Sequence, residues 1–187
     1  MTVDSLALPE VKVITPKYFM DDRGYFAETY SKRTLAKYGI EADFVQDNHS
    51  LTLKKGTIRG IHFQAAPHAQ SKLVRCTRGR ILDVAVDLRR DSPTFKQWAA
   101  VELSAENHRQ VWLPKGFGHG LLTLEDNCEV QYKVDEFYAP EYDGGIAWND
   151  PELGIGWGVD APILSEKDAR APRLADSGIN FTMEVRQ

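Results

Sequence analysis

A chain of 187 residues, 42% of them hydrophobic, with nine prolines and fourteen glycines spread along it, is long enough to bury one core. We therefore expect one domain covering residues 1–187, folded alone or as a compact oligomer. The formal charge of −4 argues against general binding to nucleic acid or to an anionic membrane, since either partner favours a net basic surface.

The cysteine content and the N-terminal sequence bear on the cellular compartment. Cys76 and Cys128 are too few for a disulfide framework and lack the Cys and His spacing of a zinc site. Residues 1–14 contain neither a basic segment followed by an apolar run nor a membrane span. These features predict a cytoplasmic protein without a membrane partner.

The predicted elements are short strands separated by turn residues, at a spacing of roughly ten residues. Ser31 is the predicted N-cap of one helix, over 32–38, which Gly39 ends. Ser165 is a second N-cap, with Asp168 at the capping-box position of a helical turn. This pattern favours an antiparallel sandwich or barrel. The predicted strands cover residues 11–15, 25–30, 44–53, 57–63, 71–77, 80–87, 95–103, 110–113, 118–124 and 129–137.

Alternation along the strand at 80–87 predicts one apolar face and one face that carries Asp83 and Asp87 and lines something polar. The strand before it places Lys72 on an interior-looking face. A lysine is expensive to bury unless it meets an anion, so its position favours a functional role.

In the strand at 57–63, the same alternation predicts that Arg59 and Ile61 share one side while Gly60 and His62 share the other. A histidine on a sheet face is by itself more often a hydrogen-bonded core residue than a base. Tyr132 would ordinarily be an aromatic residue of the sheet with its hydroxyl at the rim. Together with a lysine and carboxylates around one cavity, however, a strand histidine supplies the parts of a proton-transfer site.

One segment matches half of a metal-binding signature. Residues 114–119 fit P-x-G-x-x-H, the second half of the metal-binding cupin motif, which ends here at His119. A mononuclear site needs three or four converging ligands. The first half offers His62 but has Gln64 in place of the second imidazole, and no glutamate at a suitable spacing. We predict a cupin-like fold without a strong metal site.

Several motifs, in this order, carry a resemblance to a known family: RGIHFQ at 59–64, KLVRC at 72–76, DVAVDLR at 83–89 with SPTF at 92–95, PKGFGHG at 114–120 and WNDP at 148–151. They resemble the motifs of the dTDP-4-dehydrorhamnose 3,5-epimerase family over about residues 23–168. The resemblance implies an all-β, cupin-like antiparallel jelly-roll barrel with a few short helices, no metal or other cofactor, and a homodimer whose subunits exchange strand contacts.

The resemblance also implies a reaction: epimerisation at C3 and C5 of dTDP-4-keto-6-deoxy-D-glucose, on the route to dTDP-L-rhamnose. It assigns His62 as the general base, Asp168 as the group that holds its ring, Tyr132 as the acid and Lys72 as the cation near the sugar's 4-oxygen. The family commonly has Glu where this chain has Asp143. The substrate-binding positions it implies, some reaching in from the partner subunit, are Arg23, Glu28, Gln46, Asp47, Asn48, Arg59, Lys72, His119, Asp143 and Lys167.

Three other functions stay open on the sequence. A mono-epimerase of a related dTDP-4-ketosugar would need the same residues, because selectivity depends on small differences in ring orientation. A metal-dependent cupin dioxygenase or isomerase would use His62 and His119. A sugar-nucleotide binding module would need no acid or base.

Overall fold

The computed structural model describes residues 1–184, and its named strands pair antiparallel throughout. The helices in this range are short, and none has the length and apolar character needed to span a bilayer. The strands are β1 (Thr2–Ser5), β2 (Lys12–Thr15), β3 (Tyr18–Asp21), β4 (Gly24–Ala27), β5 (Gln46–Thr52), β6 (Ile58–Gln64), β7 (Lys72–Arg78), β8 (Arg80–Asp87), β9 (Trp98–Ser104), β10 (Gln110–Leu113), β11 (Phe117–Thr123), β12 (Cys128–Val134) and β13 (Asp143–Gly145). The helices are α1 (Lys32–Ala36), α2 (Glu166–Ala169) and two 3-10 turns, Pro140–Tyr142 and Leu174–Asp176.

Two sheets face each other around a shared apolar core. The larger has the order β1-β2-β10-β7-β12-β5 and the smaller β13-β6-β11-β8-β9, while β3 and β4 form a separate hairpin. This is the jelly-roll arrangement that the sequence predicted. The shared core is built from alternate residues of both sheets, among them Val74, Cys76, Ile81, Ala85, Val101, Val111, Leu121 and Val130.

The segment after β13 covers the outer face of the smaller sheet. Ile146, Trp157 and Phe181 are buried there against residues of β6 and β8 that point away from the shared core, such as Ile61 and Val84. Burying this apolar area is what holds an otherwise irregular segment in place. As a consequence α2 lies beside β6.

A β-bulge in β6 decides which face its side chains occupy. His62 lies opposite His119 on β11, whereas Arg59 lies opposite Leu121, so β6 has one residue more than β11 over this interval. Gly60 supports the bulge with a φ of +113°. The inserted residue reverses the alternation, because side chains in a strand change face at every step.

The bulge corrects the predicted pairing of faces on β6. Ile61 is buried in the outer core, whereas Arg59 shares the inner face with His62, so the prediction that Arg59 and Ile61 lie on one side is wrong. Strict alternation would have placed His62 on the same face as Ile58, which lies in the outer core. The bulge therefore turns the histidine inward.

The strand at 80–87 is confirmed residue for residue as β8, but both of its faces are buried. The carboxylate of Asp87 accepts hydrogen bonds from Arg89, Ser92 and Thr94, so it holds the chain turn after β8. The prediction that Asp87 lines a polar cavity is wrong. That turn also explains why the next strand begins at Trp98 and not at 95.

The strand at 110–113 is also confirmed with both ends, as β10, and the remaining predicted strands are present with shifted ends. The strands β1, β3 and β13 were not predicted. Ser31 caps α1 as expected, but the helix ends at Ala36, with Gly39 following at a φ of +74°. Ser165 caps α2 by accepting the backbone N–H of Asp168, which confirms that prediction.

We predict that Gly60→Ala lowers the free energy of unfolding by about 3 kcal/mol, because a Cβ adds backbone strain and overpacking. That Cβ would lie 2.6 Å from the carbonyl oxygen of His119. Gly158→Ala is the control, since Gly158 has a φ of +74° and a Cβ added there would meet no atom within 4 Å. It should cost about 1 kcal/mol of strain alone. Urea denaturation at matched protein concentration measures both, and equal losses would contradict the role given to the close approach.

Candidate active site

The inner face of the smaller sheet forms one wall of a cavity of about 320 Å³. His62 and Gln64 project into it from β6, and Asp143 of β13 lies opposite Gln64. Lys167, on α2, reaches the same wall and forms an ion pair with Asp143. The structure thus brings together residues of β6, β13 and α2, three elements that lie far apart in the sequence.

The larger sheet forms the opposite wall. Tyr132 of β12 lies between Asn48 of β5 and Val74 of β7 in the strand register, and it packs against the shared core. Lys72 and Gln46 reach the cavity from the next inward-facing positions of β7 and β5. His62 and Tyr132 are therefore carried by different sheets and line one cavity from opposite walls.

His62 is held by a buried carboxylate. Its Nε2 lies 2.5 Å from Oδ1 of Asp168, whose side chain is only 4% exposed. Burial alone would raise the pKa of Asp168, but hydrogen bonds from His62, Ser165 and the backbone of Gly60 outweigh it and hold that pKa below its ordinary value. Within residues 1–184, the other ring nitrogen, Nδ1, has no hydrogen-bond partner. An ionised partner on one nitrogen and a free second nitrogen suit a general base.

Lys72 is a half-buried residue whose ammonium group is desolvated, and this alters its pKa. Burial lowers its pKa from 10.5 to about 8, and the neighbouring charge of Lys167 adds to that effect, whereas Asp83 and Asp143 oppose it. No carboxylate of the described residues lies within ion-pair distance of its ammonium group. A cation kept out of water without a close partner is available to an anion that forms in the cavity.

The charge of Asp83 acts on this cation, and sequence reasoning placed Asp83 on the polar face of its strand without giving it an individual role. Asp83 is 1% exposed, its Oδ2 lies 2.8 Å from Nε2 of His119, and among residues 1–184 its Oδ1 has no hydrogen-bond partner. His119 is consequently tied to Asp83 and does not line the cavity, so its predicted role in substrate binding stays a prediction. The only sequence signal was the position of Asp83 on the inward face of β8.

Tyr132 and Arg59 are neighbours on facing walls. Burial raises the pKa of the Tyr132 phenol, and the positive charge of Arg59 counteracts this only in part. The phenol therefore stays protonated at neutral pH. Arg59 is exposed at the rim, where its Nε donates a 2.8 Å hydrogen bond to Oγ1 of Thr52 on the larger sheet.

Gln64 occupies the position at which a metal cupin would have its second histidine, and its side chain bonds to backbone groups. Its Nε2 donates to the carbonyl oxygens of His68 at 2.5 Å and Phe137 at 3.0 Å, and its Oε1 accepts the N–H of Ala139 at 2.9 Å. The amide is thus committed to backbone groups. Among residues 1–184, His, Cys, Asp and Glu side chains form no group of three or more that could hold a metal ion.

The segment that Gln64 holds carries Tyr138, a cavity residue that sequence reasoning missed. The Tyr138 hydroxyl donates to Oδ2 of Asp143 at 3.2 Å, and its N–H donates to Oε1 of Gln46 at 3.3 Å. It lies in an irregular stretch after β12 with no periodicity. Its place depends on the distant amide of Gln64, so no local signal could have found it.

Three predicted substrate-binding residues lie away from this cavity. Asp47 alternates with its neighbours onto the outer face of β5, where it pairs with Lys133 at 2.7 Å. Arg23, at the turn between β3 and β4, is 90% exposed and pairs with Asp21. Glu28 is exposed just after β4. The structure does not bring these three to the site of their own chain, and their binding roles stay predictions.

A cupin-like barrel with a His–Asp pair, a half-buried lysine and a protonated tyrosine around one cavity defines a class of enzyme built for acid–base chemistry on a small molecule. A family model described as dTDP-4-dehydrorhamnose 3,5-epimerase matches residues 5–176. The chain belongs to the dTDP-4-dehydrorhamnose 3,5-epimerase family, and is thus an isomerase, as the resemblance in the sequence implied.

Individual relatives and solved structures support membership of this family. The dTDP-4-dehydrorhamnose 3,5-epimerase of Salmonella typhimurium is 50% identical over 176 residues, 93% of this chain and 96% of the relative. The crystal structure of the Bacillus anthracis enzyme, with TDP and PPi bound, is 51% identical with a TM-score of 0.90, over 92% of this chain and 98% of that one. A Legionella pneumophila enzyme in complex with dTDP-4-keto-L-rhamnose is 43% identical with a TM-score of 0.89, over 94% and 93% of the two chains.

We predict that Lys72 titrates near pH 8 and that Asp83→Asn moves its titration to lower pH. The carboxylate of Asp83 favours the ammonium form, so neutralising it lets burial lower the pKa further. NMR of ¹³C-labelled lysine, with Lys72→Met to assign the signal, measures this. Asp47→Asn, which removes a carboxylate on the outer face, should leave the signal unchanged. A wild-type pKa near 10.5 would contradict the account.

Proposed function

We propose that this chain epimerises C3 and C5 of dTDP-4-keto-6-deoxy-D-glucose to give dTDP-4-keto-L-rhamnose, with His62 as base and Tyr132 as acid. The observation that carries this assignment is their position on opposite walls of one cavity. Inversion at carbon requires that a proton leave one face of the sugar ring and another arrive at the opposite face. The two sheets supply one group for each face.

The ketone at C4 makes both carbons accessible to one base. A hydrogen on C3 or C5 becomes acidic because the carbanion left behind delocalises onto the 4-oxygen as an enolate. Nδ1 of His62 takes the proton, and the ionised Asp168 stabilises the imidazolium that results. Lys72 stabilises the negative charge on the oxygen, and a cation placed in advance at such a charge is worth about 3 kcal/mol.

Protonation then comes from the other wall. Tyr132, kept neutral by its burial, gives its proton to the face of the enolate opposite His62. The same pair serves C3 and C5 in turn, since both carbons flank the carbonyl. The phenol regains a proton and the imidazolium loses one before the next cycle.

The size of the cavity supports binding of the nucleotide outside it. About 320 Å³ is at the lower end of small-molecule pockets and suits a hexose ring better than a whole nucleotide sugar. Arg59, Gln46 and Asn48 lie along the larger sheet or at the rim, where a guanidinium suits a diphosphate. A dTDP-sugar would thus place its sugar between the walls and its nucleotide toward the surface.

We predict that His62→Ala and Tyr132→Phe separate the two halves of the reaction in deuterated water. His62→Ala should lose about 10² to 10⁴ in rate and stop exchange of the ring hydrogens. Tyr132→Phe keeps the base, which can return deuterium only to the face it left, so exchange should continue while inversion stops. NMR and mass spectrometry of the ketosugar measure both, with Tyr30→Phe as the control outside the cavity.

The same experiment distinguishes the alternatives. Wild-type enzyme should place deuterium at both C3 and C5, whereas incorporation at a single carbon would support a mono-epimerase. Turnover that requires a stoichiometric metal would favour the metal-dependent cupin alternative. Exchange that survives in His62→Ala would contradict the role of that histidine.

We further propose a homodimer in which the β3–β4 hairpin completes the nucleotide site of the partner subunit. This hairpin exposes Met20 and Phe26 at 71% each, together with Phe19 and Tyr25, on a two-stranded ribbon outside both sheets. Contiguous exposed apolar side chains mark interaction surfaces. Arg23 lies at the turn of this ribbon and Glu28 directly after it. Dimerisation through the ribbon would therefore place both residues near the nucleotide site of the partner subunit.

Mixing two inactive variants tests this arrangement. If Arg23→Glu on the hairpin serves the partner's site, re-pairing it with His62→Ala should restore about a quarter of wild-type activity, since half of random dimers are mixed and each has one intact site. The variants alone, refolded separately, are the controls. If the hairpin serves its own chain, mixing restores nothing.

We retain the cytoplasm as the proposed compartment, which the two buried free thiols, Cys76 and Cys128, support. We also retain the proposal of one functional domain. The shared core and the outer core both include residues of β8, which argues against dividing the chain.

A further inference from the structure

Ser165 makes two hydrogen bonds to the same residue, and only one of them is needed to cap α2. Its Oγ accepts the backbone N–H of Asp168 at 3.1 Å, which is the ordinary work of an N-cap serine. Its hydroxyl also donates to Oδ2 of the Asp168 side chain at 2.8 Å. That second bond links the cap to the carboxylate that holds His62.

Both oxygens of the Asp168 carboxylate are consequently occupied. Oδ1 lies 2.5 Å from Nε2 of His62, and Oδ2 receives the Ser165 hydroxyl, while the backbone N–H of Gly60 in the bulge also binds this carboxylate. The terminal torsion of an aspartate has a broad minimum and is weakly restrained by itself. Without the Ser165 hydroxyl the carboxylate would keep its bonds to His62 and to the Gly60 backbone, but its plane would be held less firmly and the imidazole with it.

We propose that Ser165 is a positioning residue for the epimerisation: by holding Oδ2 it fixes the plane of the Asp168 carboxylate, and through Oδ1 the direction in which His62 presents Nδ1 to the sugar. This inference rests on the proposed roles of His62 and Asp168. The base must return to one place as it takes up and releases protons for two different carbons. A shift of about 1 Å in a reacting group can cost on the order of 10² in rate.

Ser165→Gly is the test, because glycine at an N-cap costs only a few tenths of a kcal/mol while the hydroxyl is lost. We expect kcat to fall on the order of tenfold with KM and dTDP affinity within about twofold of wild type, since the missing group orients the base and does not touch substrate. Ser165→Thr keeps a hydroxyl and should restore kcat. Ser31→Gly removes the N-cap of α1, which has the same kind of cap away from the cavity, and should leave kcat unchanged.

A second readout does not depend on turnover. In ¹⁵N-histidine NMR spectra, the proton between Nε2 of His62 and Asp168 should give a sharp signal in wild type and Ser165→Thr, and a broadened one in Ser165→Gly. An unchanged signal with unchanged kcat in Ser165→Gly would overturn the inference. So would an equal loss of kcat in Ser31→Gly, which would mean that capping alone matters.

Asp168→Asn and His62→Ala, measured in parallel, separate this inference from the proposed mechanism. If both of them lose activity while Ser165→Gly does not, only the role of Ser165 falls. If either retains wild-type turnover, the proposed His–Asp pair fails, and the positioning role of Ser165 fails with it.

Discussion

A proton that leaves one face of a sugar ring and returns to the other needs a base and an acid on opposite sides, and two facing sheets meet that requirement directly. The larger sheet carries Tyr132 and Lys72, and the smaller one carries His62. The arrangement depends on the bulge at Gly60, because without its extra residue His62 would point into the outer core. One glycine that tolerates a positive φ therefore determines whether His62 faces the cavity at all.

The second constraint is the cost of burying charge. Asp168 stays ionised because its hydrogen bonds outweigh its burial. Lys72 has no carboxylate of residues 1–184 within ion-pair distance, and its pKa falls to about 8. Asp168 and Lys72 thus differ in how fully their charges are compensated. Asp168 is part of a fixed assembly with His62 and Ser165, while the lysine keeps its charge available. That contrast suits a base that must stay oriented and a cation that must meet an enolate.

The sequence predicted most of the strands, the family and the fold. Period-two alternation gave the strands, and the ordered motifs pointed to the family and to the cupin-like barrel. The predictions that are wrong concern features that depend on contacts between distant residues. The bulge in β6 is visible only from its pairing with β11, so the sequence predicted the wrong faces for Arg59 and Ile61. Asp87 was mistaken for a cavity residue because its partner Arg89 lies in the following turn. Tyr138 is placed in the cavity by its bonds to Gln46 and Asp143 and by the amide of Gln64, which holds its two chain neighbours.

The most direct test of the two-wall account is a crystal structure with a dTDP-4-ketosugar, or a stable analogue of one, bound. The account predicts the hexose ring between Nδ1 of His62 and the phenol of Tyr132, one on each face, with the ammonium of Lys72 beside the 4-oxygen. A ring that has both side chains on the same face, or that binds outside the cavity, would contradict it.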